Sequence, residues 1–144
     1  MAAREASRFD VHKGFEIALT GDVSTTRNGA VFFSGKNPNG FANANLATNF
    51  ANQNGSKILN FTPAGQQLDA LNLYPRLATD SNGLINPKFA SETSRVWEIT
   101  SRRFAQGSTG DVNAFVSGAR SDSIFLQVER PILSENSFVN LIER

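Results

Sequence analysis

The chain has 144 residues, of which 40% are hydrophobic and 19% charged, a composition that suits one globular domain and excludes a disordered chain. Its 14 basic and 13 acidic residues leave a net charge of +1, too near neutral for the basic footprint of a nucleic-acid binder. With no cysteine and one histidine, His12, a disulfide scaffold, a thiolate zinc site, a cysteine nucleophile and a multi-histidine metal centre are all excluded.

No apolar run approaches the ~20 residues of a membrane span. The opening MAAREASRFDVHKG is charged throughout and lacks the apolar stretch of a signal peptide. Residues 1–29 show no clean hydrophobic period and are expected to be a leading segment or the remnant of a linker. Within them Phe15 to Leu19 is a short apolar patch, and Gly21 to Gly29 reads as loop. The folded domain is expected over residues 30–144.

Ala30 to Ser34 is an apolar run ended by Gly35, the length and residue type of a buried strand. Phe41, Ala44, Ala47 and Ala51 recur at helical spacing, and Asn54-Gly55 stops that helix. Lys57 to Phe61 is predicted as a second short strand. Pro63 suits a first helical turn, so Ala64 to Leu71 is predicted as a short helix. Asn72 to Asn86 is irregular, punctuated by Pro75 and Asn82-Gly83.

The longest regular pattern follows. Phe89, Thr93, Val96, Trp97, Thr100 and Phe104 fall on one helical face, predicting a helix from about Pro87 to Gln106 that Gly107 and Gly110 end. Val112, Ala114 and Val116 alternate as a strand. Ser123 to Glu129 alternates as well, with Ile124, Leu126 and Val128 on one side, until Pro131. Gly118 to Asp122 is too short for a parallel crossover. The 123–129 segment is therefore expected as an antiparallel neighbour or an extended loop lining a site. Phe138 to Ile142 is a final short strand. The alternation predicts an α/β fold: a small central, mostly parallel sheet with flanking helices.

No phosphate-cradling glycine motif and no metal-ligand spacing is present. Catalysis would have to rest on carboxylates, hydroxyls, Arg or Lys, and aromatic faces. On residue types alone the reading stops at a soluble α/β domain that uses a carboxylate. Two stretches narrow it. The single tryptophan, Trp97, opens Trp-Glu-Ile-Thr-Ser-Arg-Arg-Phe-Ala105, and Val128-Glu-Arg-Pro-Ile-Leu133 sets a carboxylate between apolar residues and a proline. Between them lies Val116-Ser-Gly-Ala-Arg120. In order and spacing these resemble the ADP-ribosyl cyclase family, enzymes that consume NAD.

Two weaker matches lie upstream. Phe33-Ser34 stands where the family usually has Trp-Ser. Ile58-Leu-Asn-Phe-Thr62, with Gly65, looks like the family's Thr-Leu-Glu-Asp-Thr motif, with Asn60 in place of its second acidic residue. The resemblance spans about Val31 to Ile142. It implies cleavage of the bond between nicotinamide and ribose. Glu129 and Trp97 would be catalytic, the first as the carboxylate beneath the developing sugar cation. Phe33, Ser34, Gly35, Asn60, Ser101, Arg102 and Phe125 would bind substrate. NAD is then the substrate, so no cofactor and no metal is implied. The expected main product is ADP-ribose, with some cyclic ADP-ribose.

The family's extracellular animal members are longer and disulfide-rich. A compact cysteine-free form resembles the toxin domains at the C-termini of large bacterial secreted proteins. That implies delivery as part of a secreted or cell-surface protein, as in contact-dependent growth inhibition. It also implies action in the target-cell cytoplasm and an immunity protein that blocks the site. The same residues remain open to a nuclease toxin of such systems, or to a non-catalytic binding domain on this fold. Each candidate also has a plain structural reading. Trp97 would be a core aromatic, Glu129 a solvated strand-end carboxylate, Ser101 and Arg102 the polar face of a helix, and Asn60 a turn residue.

Overall fold

Three short parallel strands hold the centre of the molecule. β1 (Val31–Phe33), β2 (Gly110–Phe115) and β3 (Val139–Glu143) pair side by side in that order. Val31 lies opposite Asn113, and Gly110 opposite Val139. The computed structural model describes the backbone of residues 2–71 and 87–144, and the side chains of 11–71 and 91–144. The irregular stretch predicted over 72–86 lies outside the described residues. The architecture is the α/β arrangement expected, a small parallel sheet with flanking helices.

Alternation along β1 assigns its side chains to two apolar layers. Val31 packs with Ala47, Ala51 and Ile58 beneath α2 (Asn43–Asn54). Phe32 points the other way, into the main core with Val96, Phe104, Val112, Ala114, Phe125 and Leu133. α2 stops at Gly55, whose φ of 65° is a left-handed cap and whose N–H bonds the Ala51 carbonyl.

α4 (Pro87–Gln106) has the bounds that its apolar spacing predicts. Thr93, Val96, Thr100 and Phe104 are buried along its inner face. Residues 1–29, expected as a leading segment or linker remnant, contain a helix, α1 (Ala2–Thr20). Val11, Ile17 and Ala18 from it enter the core. Arg103 of α4 donates to the Ala18 and Gly21 carbonyls at 2.7 and 2.8 Å, capping the end of α1. The helix escaped a reading by period because its buried positions, Val11, Gly14, Ile17 and Ala18, include two residues too small to mark an apolar stripe.

Two predicted strands are not strands. Only Lys57 bridges to Ala30, and Leu59–Phe61 is a 3-10 turn. Its cause is Thr62, whose hydroxyl donates to the Leu59 carbonyl (2.7 Å) and accepts from Gly65 N–H (3.1 Å), starting α3 (Pro63–Ala70). The 123–129 segment is neither an antiparallel strand nor extended. Phe125–Glu129 is a single π-helical turn that runs into α5 (Arg130–Glu135). Pro131 lacks an N–H, and its ring crowds the carbonyl four residues back. A widened π turn accommodates both faults. This helical segment is itself the crossover that joins β2 to β3 in parallel, so the short 118–122 link needs no other explanation.

Candidate active site

A cleft of about 390 Å³ opens at the carboxyl end of β1, the end of a parallel sheet where α/β proteins bind ligands. Four elements contribute walls. The end of β1 gives Phe32 and Phe33, followed by Ser34 and Gly35. The 3-10 turn gives Leu59 and Asn60. α4 gives Trp97, Ser101 and Phe104, which fall at i, i+4 and i+7 and so share one face. The π turn gives Phe125 and Glu129, with Ile124 just before it.

Its floor is aromatic. Phe32 lies between Phe104, with ring centroids 5.0 Å apart, and Phe125, at 6.0 Å. Both pairs are tilted, the arrangement that ring quadrupoles favour. Phe104 and Phe125 are fully buried. Trp97 is half-buried at the cleft wall and packs against the core.

Glu129 sits in this apolar setting with 7% of its surface exposed. Burial strips water from the carboxyl and pushes its pKa up from 4.5 to about 8. No ion pair among the described residues reaches it. Burial therefore favours the neutral carboxyl, and a positive charge at rest beside it would favour the ionised form. That is a chemical property of the site, and the solvated strand-end reading does not hold.

Asn60 is fixed from behind. Its Nδ2 donates to both carboxylate oxygens of Asp69 on α3, at 3.0 and 3.2 Å. Gly65 allows the approach, because a Cβ there would run into the Leu59 carbonyl oxygen.

Eight of the nine residues predicted for the site line this cleft: Glu129, Trp97, Phe33, Ser34, Gly35, Asn60, Ser101 and Phe125. Arg102 does not. It points to solvent beside Ser101 and pairs with Glu98 at 3.4 Å, on the outer face of α4. Sequence reasoning missed Phe32 and Phe104 as the floor, because both read as ordinary core. Asp69 was also missed, since nothing in the residue pattern ties it to Asn60. Among the described residues no group of acidic, histidine or cysteine side chains could hold a metal ion, and no helix is long and apolar enough to cross a membrane.

Among solved structures, the fold is similar to that of a crystallised ADP-ribosyl cyclase variant in which a glutamate is replaced by alanine. The TM-score is 0.56 at 20% sequence identity. The likeness covers 96% of this chain and 64% of that one, so this chain spans less than two-thirds of the length of the structure it matches. No protein family matches the sequence, and no curated protein matches it significantly. At this identity the likeness defines the class of fold: α/β, of the ADP-ribosyl cyclase kind.

Proposed function

We propose that the chain is an NAD glycohydrolase. It cleaves the bond between the nicotinamide nitrogen and the ribose anomeric carbon, giving nicotinamide and ADP-ribose. The observation that carries this reading is a buried carboxyl, Glu129, in an aromatic cleft at the carboxyl end of β1. The fold likeness supports it.

The chemistry follows from charge. The pyridinium of NAD is a cation, and its approach favours the ionised form of Glu129. When the C–N bond breaks, its electron pair leaves with nicotinamide, which departs neutral. The positive charge moves to the ribose as an oxocarbenium ion. A carboxylate ~4 Å away at an effective dielectric of about 20 stabilises that charge by on the order of 4 kcal/mol, or roughly a thousandfold in rate. Water then adds to the anomeric carbon and loses a proton to solvent. Trp97 and Phe33 offer aromatic faces to the cationic ring and the sugar cation. Ser34, Gly35 and Ser101, which line the same cleft, would hold the ribose and phosphates. Arg102, on the outer face of α4, is left out of this assignment.

The test is direct: incubate the purified chain with NAD in the presence of a chelator and separate the products. Nicotinamide and ADP-ribose are expected, with cyclic ADP-ribose as a minor product. Intact NAD after hours at micromolar protein overturns the reading.

The setting we propose is a domain delivered by a larger secreted or cell-surface protein, acting in a target cell's cytoplasm. An immunity protein would lie over the cleft, where Ile124 is 41% exposed at the wall. Expressed in a bacterial cytosol, the chain is expected to lower NAD before growth stops. Growth arrest with normal NAD would favour a nuclease instead.

A further inference from the structure

The backbone around Glu129 changes register within one turn. The N–H of Gln127 reaches back four residues to the Ser123 carbonyl at 3.0 Å, the spacing of an α-helix. The N–H of Arg130 reaches back five, to the Phe125 carbonyl, which is the bond of the π turn. Pro131 follows. It has no N–H for the Gln127 carbonyl, the partner that α spacing would give it. Its ring is exposed and lines no part of the cleft, so whatever it does for the site passes through the backbone.

Register decides direction. In an α-helix each residue turns about 100°, so residues four apart overshoot a full turn by about 40° and residues eight apart by about 80°. Phe125, Glu129 and Leu133 are four apart, and all three are buried. A turn closed over five residues instead of four takes back that overshoot and keeps them aligned. On either side of Glu129, Val128 is half-buried and Arg130 exposed. Rotation toward either neighbour carries the carboxyl out of the cleft toward solvent.

We propose that Pro131 is a positioning residue: by withholding an N–H it holds the π turn open, and the open turn aims the Glu129 carboxyl into the cleft. An N–H restored at position 131 can bond the Gln127 carbonyl, and the turn then closes to α spacing. Glu129 swings toward solvent, although no residue of the cleft has been changed. The consequence for turnover rests on the proposed function; the consequence for the carboxyl does not. Glu129 is the one charged side chain lining the cleft among the described residues, so its titration reports its own surroundings. Arg130, next to it in sequence, pairs with Glu143 at 2.9 Å. Glu98 and Arg102 pair on the outer face of α4, and Asp69 stands behind Asn60.

The experiment compares the wild-type chain with Pro131→Ala and Pro131→Gln, two changes that restore the N–H with different side chains. Ser134→Ala, an exposed change on the same helix that leaves its backbone bonds as they are, is the control. The deciding readout is the Glu129 carboxyl resonance followed through a pH titration. Its midpoint is expected at about 8 in the wild type and in Ser134→Ala, and to fall toward the ordinary 4.5 in both Pro131 variants. In those variants kcat for NAD is expected to fall about a hundredfold, with KM changed less. Their denaturation midpoints should hold or rise, because a helix favours either residue over proline. A proline that served the fold alone would lower those midpoints and leave the Glu129 titration of the folded protein where it is. A folded Pro131→Ala or Pro131→Gln in which Glu129 still titrates near 8 therefore overturns the proposal, whatever its turnover. A wild-type midpoint already near 4.5 overturns it as well. If the wild type consumes no NAD, the proposed function fails and the titration alone decides: a midpoint that falls in the Pro131 variants supports the inference, and an unchanged one overturns it.

Discussion

At the carboxyl end of β1, a cleft of about 390 Å³ surrounds Glu129 with aromatic and aliphatic walls. At the opposite end of the sheet, where β2 and β3 begin, a larger hollow of about 530 Å³ is lined by Arg27, Asp111, Phe138, Asn140 and their neighbours. It too holds a carboxylate. Asp111, however, is exposed, and its oxygen accepts from Asn140 across the strand pair at 3.1 Å. Water and a partner already stabilise that charge, so it has little left to offer a ligand. Glu129 is mostly desolvated and has no ion pair among the described residues, so a cation in the cleft would favour its charged form. Desolvation therefore separates the two hollows by chemistry.

The strongest way to break this comparison is Glu129→Gln, which keeps the shape and removes the charge. NAD turnover is expected to fall about a thousandfold with the fold retained. Near-normal turnover would pass the role to another carboxylate. The wild-type pH profile sharpens the same point. In the proposed reaction the ionised form is the active one, so kcat/KM is expected to rise with pH toward about 8, the value that burial sets for Glu129. The limb in kcat should lie at lower pH, because the bound cation favours the carboxylate. A flat profile between pH 5 and 8 would show that Glu129 is not titrating in the rate step.

Stability carries the next effect. The unfolded chain loses the Glu129 proton near 4.5, whereas the folded chain keeps it up to about 8. Between those values the folded state binds more protons, so wild-type stability falls as pH rises. Glutamine does not titrate. Glu129→Gln should therefore gain stability over wild type across this window and hold the gain above it. The full shift corresponds to about 5 kcal/mol, and water penetration into the cleft reduces the expected gain to about 2 kcal/mol. Denaturant titrations at pH 5 and pH 9 measure it. A constant difference between the two proteins would mean that the carboxyl is better solvated than its burial implies.

What the sequence revealed of this site tracks the regularity of its elements. α4 is a long helix with a strong apolar period, so Trp97, Ser101 and the helix bounds were all legible. The π turn was not. Ile124, Leu126 and Val128 alternate and read as a strand, but the buried residues are Phe125, Glu129 and Leu133, four apart. That helical spacing was present in the sequence and was masked by the apolar residues between. The resemblance still selected Glu129, because it rests on residue order and not on secondary structure. Arg102 failed for a related reason: adjacency to Ser101 in sequence is a turn of about 100° on a helix, enough to carry a side chain from cleft to solvent. α1 and the Asp69–Asn60 contact depend on tertiary packing, which no local period records.

Trp97 tests the aromatic half of the cleft. Trp97→Ala removes a large ring from the wall while leaving the buried face of α4, Val96 and Phe104, in place. A tenfold to thirtyfold loss of kcat/KM is expected, on the order of 1.4 to 2 kcal/mol of aromatic and cation–π contact. Trp97→Phe should retain most of the activity. Equal losses in both variants would argue that the indole nitrogen, and not the ring face, makes the contact that counts.

The smallest effect belongs to the other end of the sheet. Asp111 and Asn140 are register partners in β2 and β3, and their side chains meet on the exposed side. Asp111→Asn preserves the carbonyl that accepts from Asn140 and removes a charge that solvent already screens. Stability is expected to stay within about 0.5 kcal/mol, the usual range for a surface change. NAD turnover should stay within about twofold, because the sheet stands between this hollow and Glu129. The measurement is best made on the same preparations as Glu129→Gln, since both changes replace one carboxylate by its amide. If Asp111→Asn lost even tenfold, burial would not be what separates the two carboxylates, and the larger hollow would have to be part of the reacting surface.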